Sequence, residues 1–256
     1  MFEAIIEAGR LQAFVDSLTC LVNECKIQVD HSQGFEARAA DPANVAMVFA
    51  EIDVEAFESF DSGKGVIGLN VNRLDDIISF ASAGDLVHLQ WNEETRRLDV
   101  TITTDGGEFT YDLALIDPGA IRAEPDLPDL SDQLTERFTI SGSQFDTAID
   151  AVTLCSDHVI IEACVDDVAP RVRFYSEGDT DQSTWTFDGD DCVFIDVDTE
   201  KASMFSTDYF EDMAKPIPND AEVTFRLGEG FPTQWEFEAD EGVSVTNMLA
   251  PRIQSQ

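Results

Sequence analysis

Lysine is scarce in this sequence: Lys26, Lys64, Lys201 and Lys215 are the only four in 256 residues. Together with the arginines they make 15 cations against 52 Asp and Glu, a formal net charge of −37. The chain also lacks G-x-x-x-x-G-K-[ST], G-x-G-x-x-G and G-x-S-x-G, so it has no phosphate loop, dinucleotide fingerprint or nucleophile elbow. No window approaches about 18 uninterrupted apolar residues. The opening "MFEAIIEAGR" has no basic start, so neither a membrane span nor a signal peptide is expected, and the protein is expected in the cytoplasm. Five cysteines, Cys20, Cys25, Cys155, Cys164 and Cys192, form no C-x-x-C pair, and their odd number argues against a disulfide framework. His31, His88 and His158 stand at no metal-ligand spacing from another His or Cys. The acid-rich "DGDDCVFIDVD" misses the D-x-[DN]-x-[DN]-G pattern of a calcium loop. No catalytic residue, metal or cofactor is therefore expected.

What is present is a foldable but very acidic chain. Hydrophobic residues make up 43% and phenylalanines number 18, which lifts the sequence out of the disordered class despite its charge. Self-repulsion at this charge density is severe when the Debye length is about 10 Å, at 0.1 M salt, and mild when it is about 3 Å, at 1 M. The composition therefore points to a cytoplasm of molar salt. Domains cluster near roughly 100–150 residues, so two domains are expected.

The helix starts reveal a repeat. Four times a capping residue is followed by apolar positions two, five, six and nine residues later. The sets are Gly9 with Leu11, Phe14, Val15 and Leu18; Asn72 with Leu74, Ile77, Ile78 and Ala81; Ser143 with Phe145, Ala148, Ile149 and Val152; and Asp208 with Phe210, Met213, Ala214 and Ile217. Each is an i, i+3, i+4, i+7 stripe, the apolar face of a short helix. Gln12, Asp75, Asp146 and Glu211, three residues after the caps, are placed to reach back to the cap amide or to complement the helix dipole. A strand-like run follows each helix: "KIQVD", "LVHLQW", "HVIIEAC" and "AEVTFRL".

The remaining chain alternates like strands. "RLDVTITTDGGEFTYDLAL" predicts a hairpin turning at Asp105-Gly106-Gly107, and "TWTFDGDDCVFIDV" predicts another at Asp188-Gly189. Caps one and three lie 134 residues apart and caps two and four 136 apart, so the chain divides into similar halves. The predicted architecture is α+β: two similar domains, each with two helices packed on one face of mostly antiparallel sheets. The expected domains are 1–116 and 134–256, joined by a connector, 117–133. Pro118, Pro125 and Pro128 should keep this connector extended and out of either sheet.

A twice-repeated helix-on-sheet chain that opens "MFEA" and closes "LAPRI" resembles the sliding clamps of archaea and eukaryotes, the proliferating cell nuclear antigen family. "AADPANVAMV" at 39–48, "GLNVNRLDDII" at 68–78, Phe231-Pro232 and the proline-bearing connector match in the same order. The resemblance spans essentially the whole chain. It implies a ring-forming homotrimer that encircles double-stranded DNA as a processivity factor and needs no chemistry of its own. It also implies docking of DNA polymerase, clamp loader, flap endonuclease and ligase through short peptides of the form Q-x-x-aliphatic-x-x-aromatic-aromatic.

Carried over by position, the peptide pocket comprises Ala40, Val45, Met47, Pro232, Met248, Leu249, Ala250 and Pro251, covered by Leu127 of the connector. The subunit seam is expected where "EFTYDLAL" of one copy meets "RVRFYS" of the next as paired edge strands, with Tyr111, Arg171 and Phe174 at the contact. Arg10, Arg73 and Lys215 are expected to face DNA. Other positions where the family tends to be basic read Ala13, Asp76, Ser79, Asp150 and Asp208 here. That departure keeps two other readings open: an acidic interaction module of the same fold that encircles nothing, and a protein that mimics DNA.

Overall fold

A computed structural model describes residues 2–126, 128–165 and 169–252. In chain order the first half contains β1 (Phe2–Glu7), α1 (Ala8–Thr19), β2 (Glu24–Asp30), β3 (Gly34–Ala40), β4 (Ala46–Asp53), β5 (Phe57–Ser62), β6 (Gly65–Asn70), α2 (Val71–Ile78), β7 (Leu86–Asn92), β8 (Arg97–Thr104) and β9 (Gly107–Ala114). The second contains β10 (Glu136–Ser141), α3 (Gly142–Thr153), β11 (His158–Val165), β12 (Pro170–Glu177), β13 (Gln182–Phe187), β14 (Phe194–Asp196), β15 (Lys201–Ser206), α4 (Thr207–Ala214), β16 (Glu222–Leu227), β17 (Thr233–Asp240) and β18 (Val243–Leu249). Two compact units result, one of Met1–Pro125 with Glu238–Val245, the other of Asp126–Phe237 with Thr246–Gln256.

In the first unit the order β5-β1-β7-β8-β9 makes one antiparallel sheet, and β6-β2-β3-β4 a second run of antiparallel neighbours. Helices α1 and α2 pack on each other, and their stripes are buried: Leu11, Phe14, Val15 and Leu18 of α1, Leu74, Ile77 and Ile78 of α2. The second unit repeats the plan with β13-β12-β11-β15 and β14-β10-β16-β17. Its core is aromatic. Phe145 of α3 lies 5.0 Å from Phe225, 5.6 Å from Phe210 and 6.3 Å from both Phe174 and Trp235, ring centre to ring centre.

The four helices form with the predicted stripes, but each starts two residues early. The N-caps are Glu7, Asn70, Ser141 and Ser206, not Gly9, Asn72, Ser143 and Asp208. Each true cap is the last residue of the preceding strand, so strand feeds helix with no loop between them. The sequence stripe begins at the fourth helical residue and misses the first, Ala8, Val71, Gly142 or Thr207, which is buried one turn earlier on the same face. Asn70 accepts a bond from the Arg73 amide, and Ser141 with Gln144 forms a capping box. Gln12 does not reach back to its cap; it bonds to Asp16 and Asp75 instead.

The first helical amide is satisfied in the same way four times. Ala8 N donates to Asp85 O, Val71 N to Asn23 O, Gly142 N to Ala221 O and Thr207 N to Asp157 O. Each acceptor immediately precedes the strand that follows the other helix of the same unit. Within each unit, then, each helix start is pinned by the exit of its neighbour, a reciprocal bond that accounts for amides a helix cannot satisfy internally.

Two strand expectations need correction. β13 and β14 are not a hairpin: β13 pairs with β12, whereas β14 pairs with β10 in the other sheet. After Asp188 the chain turns on bonds from Asp188 N to Asp191 Oδ2 and Asp190 N to Asp188 Oδ1, and Val193 N then joins Thr139 O. The connector is also less extended than its prolines suggest. Ile116, at its threshold, bridges to Gly68 of β6, and within it Pro118–Ala120 makes a short helical turn capped by Asp117.

Candidate functional site

Three groups of residues carry the functional expectations: the outward faces of the helices, the free edges of the sheets, and the pocket positions.

The helices bear eight acids, Asp16, Asp75, Asp76, Asp146, Asp150, Asp208, Glu211 and Asp212, against Arg10 and Arg73. Lys215 caps the end of α4. Arg10 is not a surface cation as expected: its side chain is only 16% exposed. Its Nη1 donates to Ala56 O at 2.7 Å, while Nη2 lies 3.5 Å from Glu241 and 3.8 Å from Glu7. Arg73 is exposed, 3.8 Å from Asp76, and exposed Lys215 donates to Asp212 at 2.6 Å. All three cations thus have a carboxylate close by.

Between α1 and α2, the Gln12 amide donates to Asp16 Oδ1 at 2.7 Å and to Asp75 Oδ1 at 2.6 Å, tying together two carboxylates that repel. Burial raises the Asp16 pKa above the usual aspartate range; the Gln12 bond opposes this and the Asp75 charge adds to it. A raised carboxyl pKa gives stability that is present below the unfolded pKa and lost as pH rises through the folded one. Asp16→Asn keeps an acceptor for Gln12 and removes the charge. It should raise the melting temperature at neutral pH and leave it unchanged below pH ~3, where aspartate is largely protonated anyway. Equal melting temperatures at neutral pH would mean that the Asp16 charge, for all its burial and its nearness to Asp75, costs the fold nothing.

Each unit presents one of its sheet edges beside the end of a helix. In the first unit β9 is the edge after β8, as expected for the strand bearing Tyr111. Phe109 on this strand lies 5.0 Å from Phe80, which follows α2 and is 70% exposed, and 6.4 Å from Tyr111. In the second unit the expected edge is corrected. β12, which carries Arg171 and Phe174, is flanked on both sides by β11 and β13, and Phe174 is fully buried against Phe138, Phe145, Phe187 and Phe225. The edge is β13, with Trp185 37% exposed. The last turn of α3 lies along it, since Ser183 Oγ donates to Ala151 O at 2.7 Å. Leu154, the C-cap of that helix, is 86% exposed.

The pocket positions divide between the units. In the first, Ala40 ends β3 opposite Met47 of β4, and both are half-buried like Val45. The loop joining them is built on Asp41, whose carboxylate accepts the amides of Ala43 at 2.9 Å, Val45 at 2.6 Å and Ala46 at 2.8 Å. In the second unit Pro232, Ala250 and Pro251 are half-buried, but Met248 is 5% exposed and Leu249 not at all, so these two serve the core. Leu127 lies outside the described residues.

Residues 1–119 match the family model for the N-terminal domain of proliferating cell nuclear antigen. The DNA polymerase sliding clamp of Natronomonas pharaonis is 48% identical, the alignment covering all of both chains, and that of Haloarcula marismortui is also 48% identical over both full lengths. The chain belongs to the DNA sliding-clamp family. Its fold agrees with a solved clamp, the A. fulgidus protein bound to the C-terminal region of FEN-1, at a TM-score of 0.89 and 32% identity over both full chains. This sliding clamp thus has the predicted α+β clamp fold, and its relatives in halophilic archaea share its full length.

Sequence reasoning missed Phe80, Phe109, Leu154 and Trp185. Phe80 and Leu154 did carry a signal, since each is a large apolar residue that follows a helix without belonging to its stripe.

Proposed function

We propose that this sliding clamp works as a ring of three copies closed head to tail around duplex DNA, a processivity factor acting by topology rather than catalysis. The observation that supports this reading is the pair of free edges, β9 in one unit and β13 in the other, each beside an exposed apolar helix end. Two different edges on one chain suit a heterologous contact, which must close by rotation or run on as a filament. Joining β9 of one copy to β13 of the next satisfies both backbone edges and covers Phe80 and Leu154 together. An open concavity of about 550 Å³ beside Leu154, lined also by Thr147, Ala151 and Glu211, offers room for the neighbouring aromatic side chains.

DNA polymerase, clamp loader, flap endonuclease and ligase dock, in this reading, by short motif peptides. In the first unit the positions for such a peptide are Ala40, Val45 and Met47; in the second they are Pro232, Ala250 and Pro251, with Met248 and Leu249 in the core. The A. fulgidus clamp bound to a FEN-1 C-terminal region supports the flap endonuclease in particular. The domain plan proposed is 1–116, connector 117–133 and 134–256, whereas the compact units divide after Pro125 and count Glu238–Val245 with the first.

Arg73 and Lys215 remain the candidates to face DNA, with Arg10 available only by giving up its present bonds. Counterion release drives little binding in molar salt. A closed ring needs few cations there, because retention comes from topology.

Light scattering in molar KCl should give about 85 kDa, three times 28.3 kDa. Clamp loaded on circular DNA should be retained there and lost when the circle is cut. A monomer mass, or equal retention on cut DNA, would overturn the ring.

A further inference from the structure

The first half of the connector is fastened to the first unit rather than slung beside it. Ile116 N donates to Gly68 O at 2.8 Å. A Cβ added to Gly68 would come within 2.7 Å of both Ile116 O and Ile121 Cδ1, so only glycine lets the connector lie this close to β6. Further along, Glu124 Oε2 accepts from Gln28 Nε2 of β2 at 2.7 Å. Between these points Arg122 reaches across to the loop after β3. Its Nη1 donates to the Asp41 backbone carbonyl at 2.8 Å, and its Nη2 donates to Asn44 Oδ1.

The loop at 41–45 is therefore held from two sides. Inside, the Asp41 carboxylate gathers the amides of Ala43, Val45 and Ala46. Outside, the Arg122 fork spans the Asp41 carbonyl and the side chain of Asn44, a residue in the left-handed region at φ 57. Both acceptors are uncharged. In a chain with 52 acids, a guanidinium placed on two neutral oxygens makes a clamp whose two hydrogen bonds are directional and are screened by molar salt less than an exposed ion pair.

We propose that Arg122 is a positioning residue for partner binding: by clamping connector and loop together it holds Val45 and its neighbours in the conformation a partner peptide meets. This rests on the pocket reading of Ala40, Val45 and Met47 given above. A loop held ready spares the peptide the cost of ordering it, and an apparent affinity falls in proportion to the fraction of chains that are binding-competent. Because that fraction acts before the encounter, the association rate carries the loss.

The test is stopped-flow binding of a synthetic Q-x-x-aliphatic-x-x-aromatic-aromatic peptide to the full-length clamp in molar KCl, with amide exchange read at Ala43, Val45 and Ala46. Arg122→Ala is expected to weaken binding about tenfold through slower association, with dissociation unchanged and faster exchange at the three amides. Asn44→Gly removes one acceptor while tolerating φ 57, and should give a smaller loss of the same kind. Should Arg122→Ala lose its melting transition, the Asn44→Gly result decides the matter alone. If the wild-type clamp does not bind the peptide, the pocket reading falls, and with it the ground for a positioning role. If the wild type binds and both variants associate at its rate, Arg122 has no positioning role and the pocket reading stands. A loss confined to faster dissociation would mean that Arg122 touches the peptide, and would also overturn the positioning role.

Discussion

Leu154→Asp should convert the clamp from a species of about 85 kDa to one of 28.3 kDa by light scattering in molar KCl, with its far-ultraviolet dichroism unchanged. Leu154 is 86% exposed within its own chain, so the substitution takes almost nothing from the monomer fold. In the proposed ring the same side chain is buried at each of three seams. Covering a leucine is worth about 2 kcal/mol, so the ring loses about 6 kcal/mol, a factor of about 10⁴ in its assembly constant, before any cost of burying the new carboxylate. Phe80→Asp approaches the same seam from the other side and should act alike, since Phe80 is 70% exposed. A Leu154→Asp clamp that keeps the trimer mass at micromolar concentration would remove this surface from the seam. Phe174, the residue the sequence suggested, offers no such test, because it is fully buried and its replacement by Asp would strike the aromatic core first.

The contrast between Leu154 and Phe174 shows where sequence reading stopped. An i, i+3, i+4, i+7 stripe is a local signal, and the four helices follow from it because the face that carries it must be buried. Their starts slipped by two residues because Glu7, Asn70, Ser141 and Ser206 end a strand and cap a helix at once, a junction with no loop chemistry to mark it. Strand existence was equally legible, but strand neighbours were not. β12 alternates buried and less buried residues as an edge strand would, and only its pairing with both β11 and β13 makes it interior. The Asp188-Gly189 turn has hairpin composition, yet the partners of its two flanks lie in different sheets.

The site divides in the same way. Positions such as Ala40, Val45 and Met47 were reachable through the family resemblance. Arg122 was not, because its acceptors lie 81 and 78 residues away in sequence and nothing near Arg122 announces them. Arg10 errs in the other direction. Its helical position suggested an outward cation, but the carbonyl of Ala56, 46 residues distant, draws it in.

The melting temperature should rise by ~10 °C or more between 0.1 M and 2 M KCl, corresponding to a few kcal/mol for a protein of this size. Salt weakens attraction and repulsion alike, so the sign depends on which is more abundant. Among the described residues the attractive pairs are mostly exposed, such as Lys215 with Asp212 and Arg97 with Asp112, and pairs of that kind are worth about 0–1 kcal/mol each. Repulsive neighbours outnumber them, because 52 acids share 15 cations. A local example is Glu51, whose carboxyl is raised by burial and then by the charge of Glu36. Shortening the Debye length from about 10 Å to below about 3 Å relieves the many and weakens the few. Screening depends on ionic strength rather than on the identity of the ion, so CsCl should match KCl at equal concentration. A melting temperature that is flat or falling in KCl would mean that the acidic surface is not what ties this fold to salt.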